Sequence, residues 1–154
     1  VGLQQGITAF RKLESPTADG SKRIGGQPDR LIVPPELEFA ARRLYQSTNV
    51  NTGGSATAES VGNANIHAGL SRPIVVNWLS DSSFTGYSAT AWYLLRNPMD
   101  MAPMVVSFLN GQQSPIVESS DADFNQLGIL FRGYHDFGCD QAEYLSGVKS
   151  KGAS

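Results

Sequence analysis

"LIVPPELEFAARRLYQS", residues 31–47, carries the clearest structural instruction in the chain. Leu31, Ile32 and Val33 form a short, wholly apolar strand. Pro34 forces Val33 toward extended backbone. Pro35 then suits the first position of a helix, where its missing N–H leaves no bond unmade. Glu36 and Glu38 lie near the positive end of that helix's dipole, and Arg42 and Arg43 lie toward the other end. Leu37, Ala40, Ala41 and Leu44 recur at helical spacing and make one apolar stripe, bordered by Tyr45. Glu38 and Arg42 are a favourable i,i+4 pair. A strand that passes through two prolines into an amphipathic helix over 35–48 predicts a sheet with a helix packed on it.

On the N-terminal side, "GLQQGITAFRKL" (2–13) places Leu3, Ile7, Phe10 and Leu13 at helical spacing. Gly6 weakens that helix. "ESPTADGSKRIGGQPDR" is turn chemistry, with Asp19-Gly20 and Gly25-Gly26 supplying positive φ. On the C-terminal side, "NVNTGGSATAESVGNAN" (49–65) is poor in bulky apolar groups and predicts an exposed, mobile loop of the length that often has an interaction role. Beyond it the β-branched and aromatic runs "PIVVNWL" (73–79), "TAWYLL" (90–95) and "MVVSFLN" (104–110) predict strands. "NGQQ" (110–113) predicts a turn into a short strand, "SPIVES". Leu127, Ile129, Phe131, His135 and Phe137 fall on one side of a period-2 pattern. Gly138 breaks that pattern, and "CDQAEYLSGV" is expected to return as the partner strand of a hairpin. The whole reads as α+β, helices first and an antiparallel-leaning sheet after.

The bulk numbers agree with one domain of ordinary size: 154 residues, 40% hydrophobic and 17% charged. Twelve Lys plus Arg against fourteen Asp plus Glu give a net charge of −2, no electrostatic footprint for nucleic acid. A single cysteine excludes an intrachain disulfide framework and fits a reducing compartment. No apolar run approaches membrane-spanning length and no signal peptide is visible. The chain opens on Val1 rather than Met, which predicts a processed or trimmed product.

Candidate chemistry concentrates in "FRGYHDFGCDQ" (131–141). His135 with Cys139 and Asp136 or Asp140 is a conceivable zinc set, since zinc takes four ligands or three plus water. Their spacing of four suits a helix, whereas the glycines and alternating aromatics specify strand and turn. A Cys/His hydrolase would also need an orienting third group and an oxyanion hole, and no serine sits in G-x-S-x-G. "IGGQ" and "NTGGS" lack the Lys-Ser/Thr of a phosphate loop. Arg11-Lys12, Lys22-Arg23 and Arg42-Arg43 are interleaved with acids and read as solvated faces. The expectation is therefore no catalytic residue, no cofactor and no metal, with Asp136, Phe137 and Gly138 forming the bend of a terminal hairpin.

Four segments in order resemble the major capsid proteins of tailed bacteriophages, close to the Mu-type major head subunit. "DRLIVPPELEFAARRL" (29–44) is similar to the strand, double proline (Pro34, Pro35) and helix of the capsid axial or A-domain, with Leu37 and Leu44 on its apolar face. "NIHAGLSRPIVVNWLSD" resembles the strand after the variable loop. "TAWYLLRNPMDMAPMVVSFLNGQQSPIVE", with Trp92 opening "WYL", resembles the following A-domain strands. "LGILFRGYHDFGCDQAEYLSGVKS" resembles the closing hairpin of the peripheral or P-domain. One departure stands out: family members often carry arginine before the last glycine, where this chain has Ser146-Gly147.

The resemblance implies a Hong-Kong-97-type capsid fold in α+β form, with residues 2–125 A-domain-like and 126–151 the P-type hairpin. It implies a C-terminal portion of a longer subunit, without the N-terminal arm, E-loop and spine helix. The implied function is structural, with identical subunits meeting head to tail in pentamers and hexamers of an icosahedral shell. The shell would enclose DNA without sequence-specific binding. The implied partners are other capsid subunits, with no membrane, and the implied location is the virion after assembly in the bacterial cytoplasm, in a phage or prophage. Loop 49–65 and the turns near Asn97 and Asn110 are the expected axis-facing contacts. The competing classes are a non-capsid virion or adaptor binding module and the Cys/His hydrolase.

Overall fold

A computed structural model describes residues 2–15, 22–50, 63–121 and 127–152. Helix α1 spans Gly2–Arg11, and the two-residue strands β1 (Glu14–Ser15) and β2 (Lys22–Arg23) follow it. Then come β3 (Arg30–Val33), a 3-10 turn at Pro35–Leu37, and α2 (Glu38–Gln46). Short strands β4 (Asn49–Val50) and β5 (Asn63–Ala64) precede β6 (Arg72–Val75) and β7 (Trp92–Leu95). The remaining strands are β8 (Met104–Phe108), β9 (Ile116–Asp121), β10 (Ile129–Tyr134), β11 (Phe137–Gln141) and β12 (Gly147–Ser150). The chain divides into two compact units, residues 1–103 with 143–154, and Met104–Ala142. The sequence had placed its boundary at 125/126.

The larger unit is built on a four-stranded sheet in the order β12-β7-β3-β6. β3 is paired on both sides, antiparallel to β7 and parallel to β6. A parallel neighbour demands a crossover, and α2 lies in the connection between β3 and β6. The double-proline segment is thus the first half of a βαβ unit. Continuous apolar character in "LIV" is what a strand covered on both faces requires: Leu31 and Val33 are buried, while Ile32 is half-buried. With Ile7 and Phe10 of α1, Ala41 of α2 and the fully buried Leu94 of β7, they form the core.

Local chemistry explains several departures from expectation. "PIVVNWL" was expected as one strand over 73–79, but β6 stops at Val75 and Asn77–Leu79 is a 3-10 turn. Its partner β3 ends at Val33, where buried Pro34 diverts the chain. After the Val76 N–H to Val33 carbonyl bond (3.0 Å) the ladder has no further acceptor on that strand. The helix expected over 35–48 begins instead as a 3-10 turn with Pro34 at its N-cap and Pro35 at its first position. Three residues per turn rather than 3.6 shift the phase of the apolar stripe. Ala41 alone of that stripe is buried, Leu37 and Leu44 are half-buried, and Ala40 faces outward. Gly6, the weak point of α1 on paper, has a packing reason. A Cβ there would lie 2.5 Å from the Trp92 ring and 3.3 Å from Leu94 Cδ1.

Two side chains tie loops to this frame. Asn65 is buried and donates from Nδ2 to the carbonyls of Leu44 (2.6 Å) and Ser47 (2.8 Å), while its Oδ1 accepts the His67 N–H (3.0 Å). Those carbonyls are among the unmet acceptors at the C-terminal end of α2. The stretch 49–65 was expected to be an exposed, mobile loop throughout. Its ends are instead an antiparallel β4–β5 pair followed by this anchor; the expectation for 51–62 lies outside the described residues. Arg96 is only 15% exposed and bonds Asp100 through Nε at 2.5 Å and the Gly25 carbonyl through Nη2 at 3.3 Å.

The smaller unit is a single antiparallel ribbon. Its base is β8 with β11, from Met104↔Gln141 to Phe108↔Phe137. Its outer part is β9 with β10, from Ile116↔Tyr134 to Asp121↔Ile129. Between the two, residues 109–115 on one side stand against only His135 and Asp136 on the other. Asn110 (φ 55°) and Gly111 (φ 72°) have the paired positive φ of a type I′ turn, closed by Gln112 N–H to the Leu109 carbonyl at 3.1 Å.

This ribbon corrects the expected terminal hairpin. Residues 127–137 do not fold back on 139–148. β10 and β11 take separate partners, β9 and β8, and the final strand β12 joins β7 in the larger unit. Gly138 lies inside β11, opposite Ser107, rather than at a bend. The break falls at His135 and Asp136, where the Asp136 carbonyl accepts the Leu109 N–H at 3.2 Å. Alternation was read correctly as strand, but period two fixes which face a residue occupies and leaves the partner open.

Candidate assembly surface

Cross-strand register sorts the ribbon's side chains, because directly opposed residues share a face. On the outer ribbon, Val117, Phe131 and Ile129 share one face with Ser119 and Asp121. Ile116, Leu130 and Tyr134 share the other with Glu118 and Arg132. Arg132 pairs with Glu118 across the strands and lies 5.9 Å from the Tyr134 ring centroid. At the base, Met104, Val106, Phe108, Phe137 and Cys139 make a face with no charged member. Phe108 is half-buried; the other four are exposed.

Phe131 is 73% exposed, and Val117, Ile129 and Leu130 are open to a similar degree. A two-stranded ribbon is at best marginal by itself in water and needs a further layer. Covering Val117, Ile129 and Phe131 alone would stabilise a complex by about 3–6 kcal/mol before association costs. Apolar patches of this kind mark association surfaces.

His135 and Cys139, the residues weighed for chemistry, have different surroundings. His135 lies against two aromatic rings, with centroid distances of 5.7 Å to Phe108 and 5.3 Å to Phe137. Its Nε2 has no hydrogen-bond partner among the described residues. An open cavity of about 170 Å³ beside it is lined by Leu109, Asn110, Gln112, Ile116, Tyr134, His135 and Asp136. Cys139 is a free, exposed thiol opposite Val106 and does not line that cavity. Among the described residues no three His, Cys, Asp or Glu side chains gather as metal ligands.

Most of the other residues singled out from the sequence belong to the larger unit. Pro34 is fully buried and Pro35 half-buried at the start of the 3-10 turn. Leu37 and Trp92 pack on the core, and Leu44 borders a small gap of about 10 Å³ among Ile7, Leu31, Ala41 and Tyr45. Leu44 was expected on the apolar stripe of the helix and is half-buried there. Phe137 opens β11 with its ring exposed. At Ser146-Gly147, where an arginine is common in the resembled family, the Ser146 hydroxyl donates to the Glu143 carbonyl and its own carbonyl accepts the Arg96 N–H at 2.8 Å. A Cβ at Gly147 would meet Leu95 Cδ2 at 2.9 Å.

Sequence reasoning missed two features. One is the buried anchor Asn65, hidden in a polar stretch whose composition resembles any loop. The other is Phe39, 83% exposed on the outer side of α2. The helical period did signal it, since Phe39 lies off the stripe formed by Leu37, Ala41 and Leu44.

An exposed apolar ribbon is the kind of surface through which structural proteins associate. Comparison with protein families agrees: a family described as phage capsid protein matches residues 1–150. The chain belongs to that family and is a structural capsid subunit. No curated protein and no solved structure matches it. Among the described residues no helix is long and apolar enough to cross a membrane.

Proposed function

We propose that this chain is the C-terminal portion of a Mu-like major head protein with a Hong-Kong-97-type fold. In this reading its subunits assemble head to tail into pentamers and hexamers of an icosahedral shell. The shell encloses phage or prophage DNA without reading its sequence, after assembly in the bacterial cytoplasm. Residues 2–125 keep the axial-domain role in the proposal, and the turns near Asn97 and Asn110 remain candidates for axis-facing contacts.

The observation that carries this reading is the ribbon, with large apolar side chains exposed on both faces. Heterologous contacts, in which one patch meets a different patch on the next copy, are what rings and shells require. Expressing the complete gene product and imaging it by electron microscopy tests the proposal. Closed shells are expected; a uniformly monomeric product that never forms rings or shells would refute it.

A further inference from the structure

Charge is distributed unequally between the two units. Residues 104–142 hold one basic side chain, Arg132, against five acidic ones, Glu118, Asp121, Asp123, Asp136 and Asp140. The formal charge of the ribbon is −4, and the remaining +2 lies on the larger unit, with eleven basic and nine acidic groups. Val117, Ile129 and Phe131 lie on a face whose only charged member among the described residues is Asp121. Such a face is repelled by DNA phosphates and by anionic lipid. It fits a surface that is both apolar and basic.

The outer side of α2 is such a surface. Phe39 and Arg43 are one helical turn apart (i, i+4) and both are exposed. Arg42 is held by Glu38 at 2.7 Å, whereas Arg43 makes no ion pair among the described residues. Another exposed aromatic group of the larger unit, Trp78 with Phe84 at 5.9 Å, lies beside acidic Asp81 instead. Phe39 and Phe131 are 83% and 73% exposed.

We propose that the ribbon of one copy lies across the outer side of α2 in a second copy, joining the Val117–Ile129–Phe131 face to Phe39 and Asp121 to Arg43. The inference rests on the reading of the chain as a shell subunit and names the contact through which copies meet. Because ribbon and helix are different surfaces, the contact is heterologous and propagates from copy to copy.

Sedimentation of the full chain over a range of concentrations tests it, with circular dichroism to confirm that each variant is folded. The wild type is expected to associate, more weakly as salt is raised. Asp121→Lys and Arg43→Glu should each weaken association on the order of tenfold, and combining them should restore it. Phe131→Ser should abolish association at every salt concentration. A wild type monomeric throughout, or single charge reversals that change nothing, would overturn the contact. The two readings fail separately. Shells that form normally from a gene product carrying Arg43→Glu leave the capsid reading standing and remove this contact. Charge-swap rescue in a protein that never forms shells does the reverse.

Discussion

Replacing Asn65 with alanine should be among the most damaging single changes in the larger unit, although the residue lies in a polar, loop-like stretch. Alanine keeps the backbone N–H bond to the Thr48 carbonyl (2.8 Å). It removes the two donations to the Leu44 and Ser47 carbonyls and the acceptance from His67. At a net value of about 1 kcal/mol each, the three lost bonds amount to about 3 kcal/mol, more if the freed carbonyls stay dry. For a chain of this size that corresponds to a fall in Tm of roughly 6–12 °C. Urea unfolding followed by far-UV circular dichroism measures it directly, and the midpoint should move while the slope stays constant. Asn65→Asp should be worse than alanine at neutral pH, because a carboxylate would face two carbonyl oxygens. Folding would raise that carboxyl's pKa, so the penalty should be full above the raised, folded-state value, shrink as pH falls through it and vanish below the unfolded value. An Asn65→Ala protein within 0.5 kcal/mol of wild type (about the scatter of a surface substitution) would refute the reasoning.

Gly6→Ala should destabilise by about 1–2 kcal/mol through overlap with the Trp92 ring. In a Trp92→Leu background the same change should stabilise by up to about 1 kcal/mol through helix propensity, and a double-mutant cycle of thermal melts would show the reversal of sign. Leu44→Ala should cost about 1–2 kcal/mol in denaturant titration, below the range for fully buried leucines, because Leu44 is only half-buried. Arg96→Met should cost about 2 kcal/mol, with little dependence on salt, since its guanidinium is largely enclosed. The Asp81 carboxyl is held below its usual range by the Ser83 backbone N–H and then the Ser83 hydroxyl. Its stabilising effect should be present at neutral pH and disappear as pH falls through the lowered value, and an Asp81→Asn variant should lack that dependence in pH-resolved melts.

Much of the fold was legible where sequence constraint is local. The double proline located the end of β3 and the start of the helix, because proline restricts its own backbone and its neighbour's. Asn110-Gly111 announced its turn through two positive φ values that few other pairs adopt. What escaped was set by distant partners. β10 and β11 each look like half of a hairpin, and nothing in "GILFRGYHDFGCDQ" says that their partners lie upstream in 104–121. The parallel pairing of β3 with β6 was equally silent, since an apolar run reads the same whichever way its neighbour points. The exposed apolar ribbon was half visible. The alternation of Ile129 and Phe131 was read as one side of a strand, but the period does not say whether that side is covered, and the structure leaves it open to solvent.

The ribbon enters and leaves the larger unit between β7 and β12, which are hydrogen-bonded neighbours, with Leu95 opposite Gly147. The sheet is therefore sealed by the last strand of the described chain, across an excursion of about forty residues. Closing so long a loop is an entropic toll on folding that a short turn would avoid: each halving of its length returns about 0.6 kcal/mol. During synthesis β12 emerges after the ribbon, so the four-stranded sheet can be completed only once the whole ribbon has been made. The order of events gives a nascent subunit a built-in delay, in which the ribbon is complete before the sheet of the larger unit has closed.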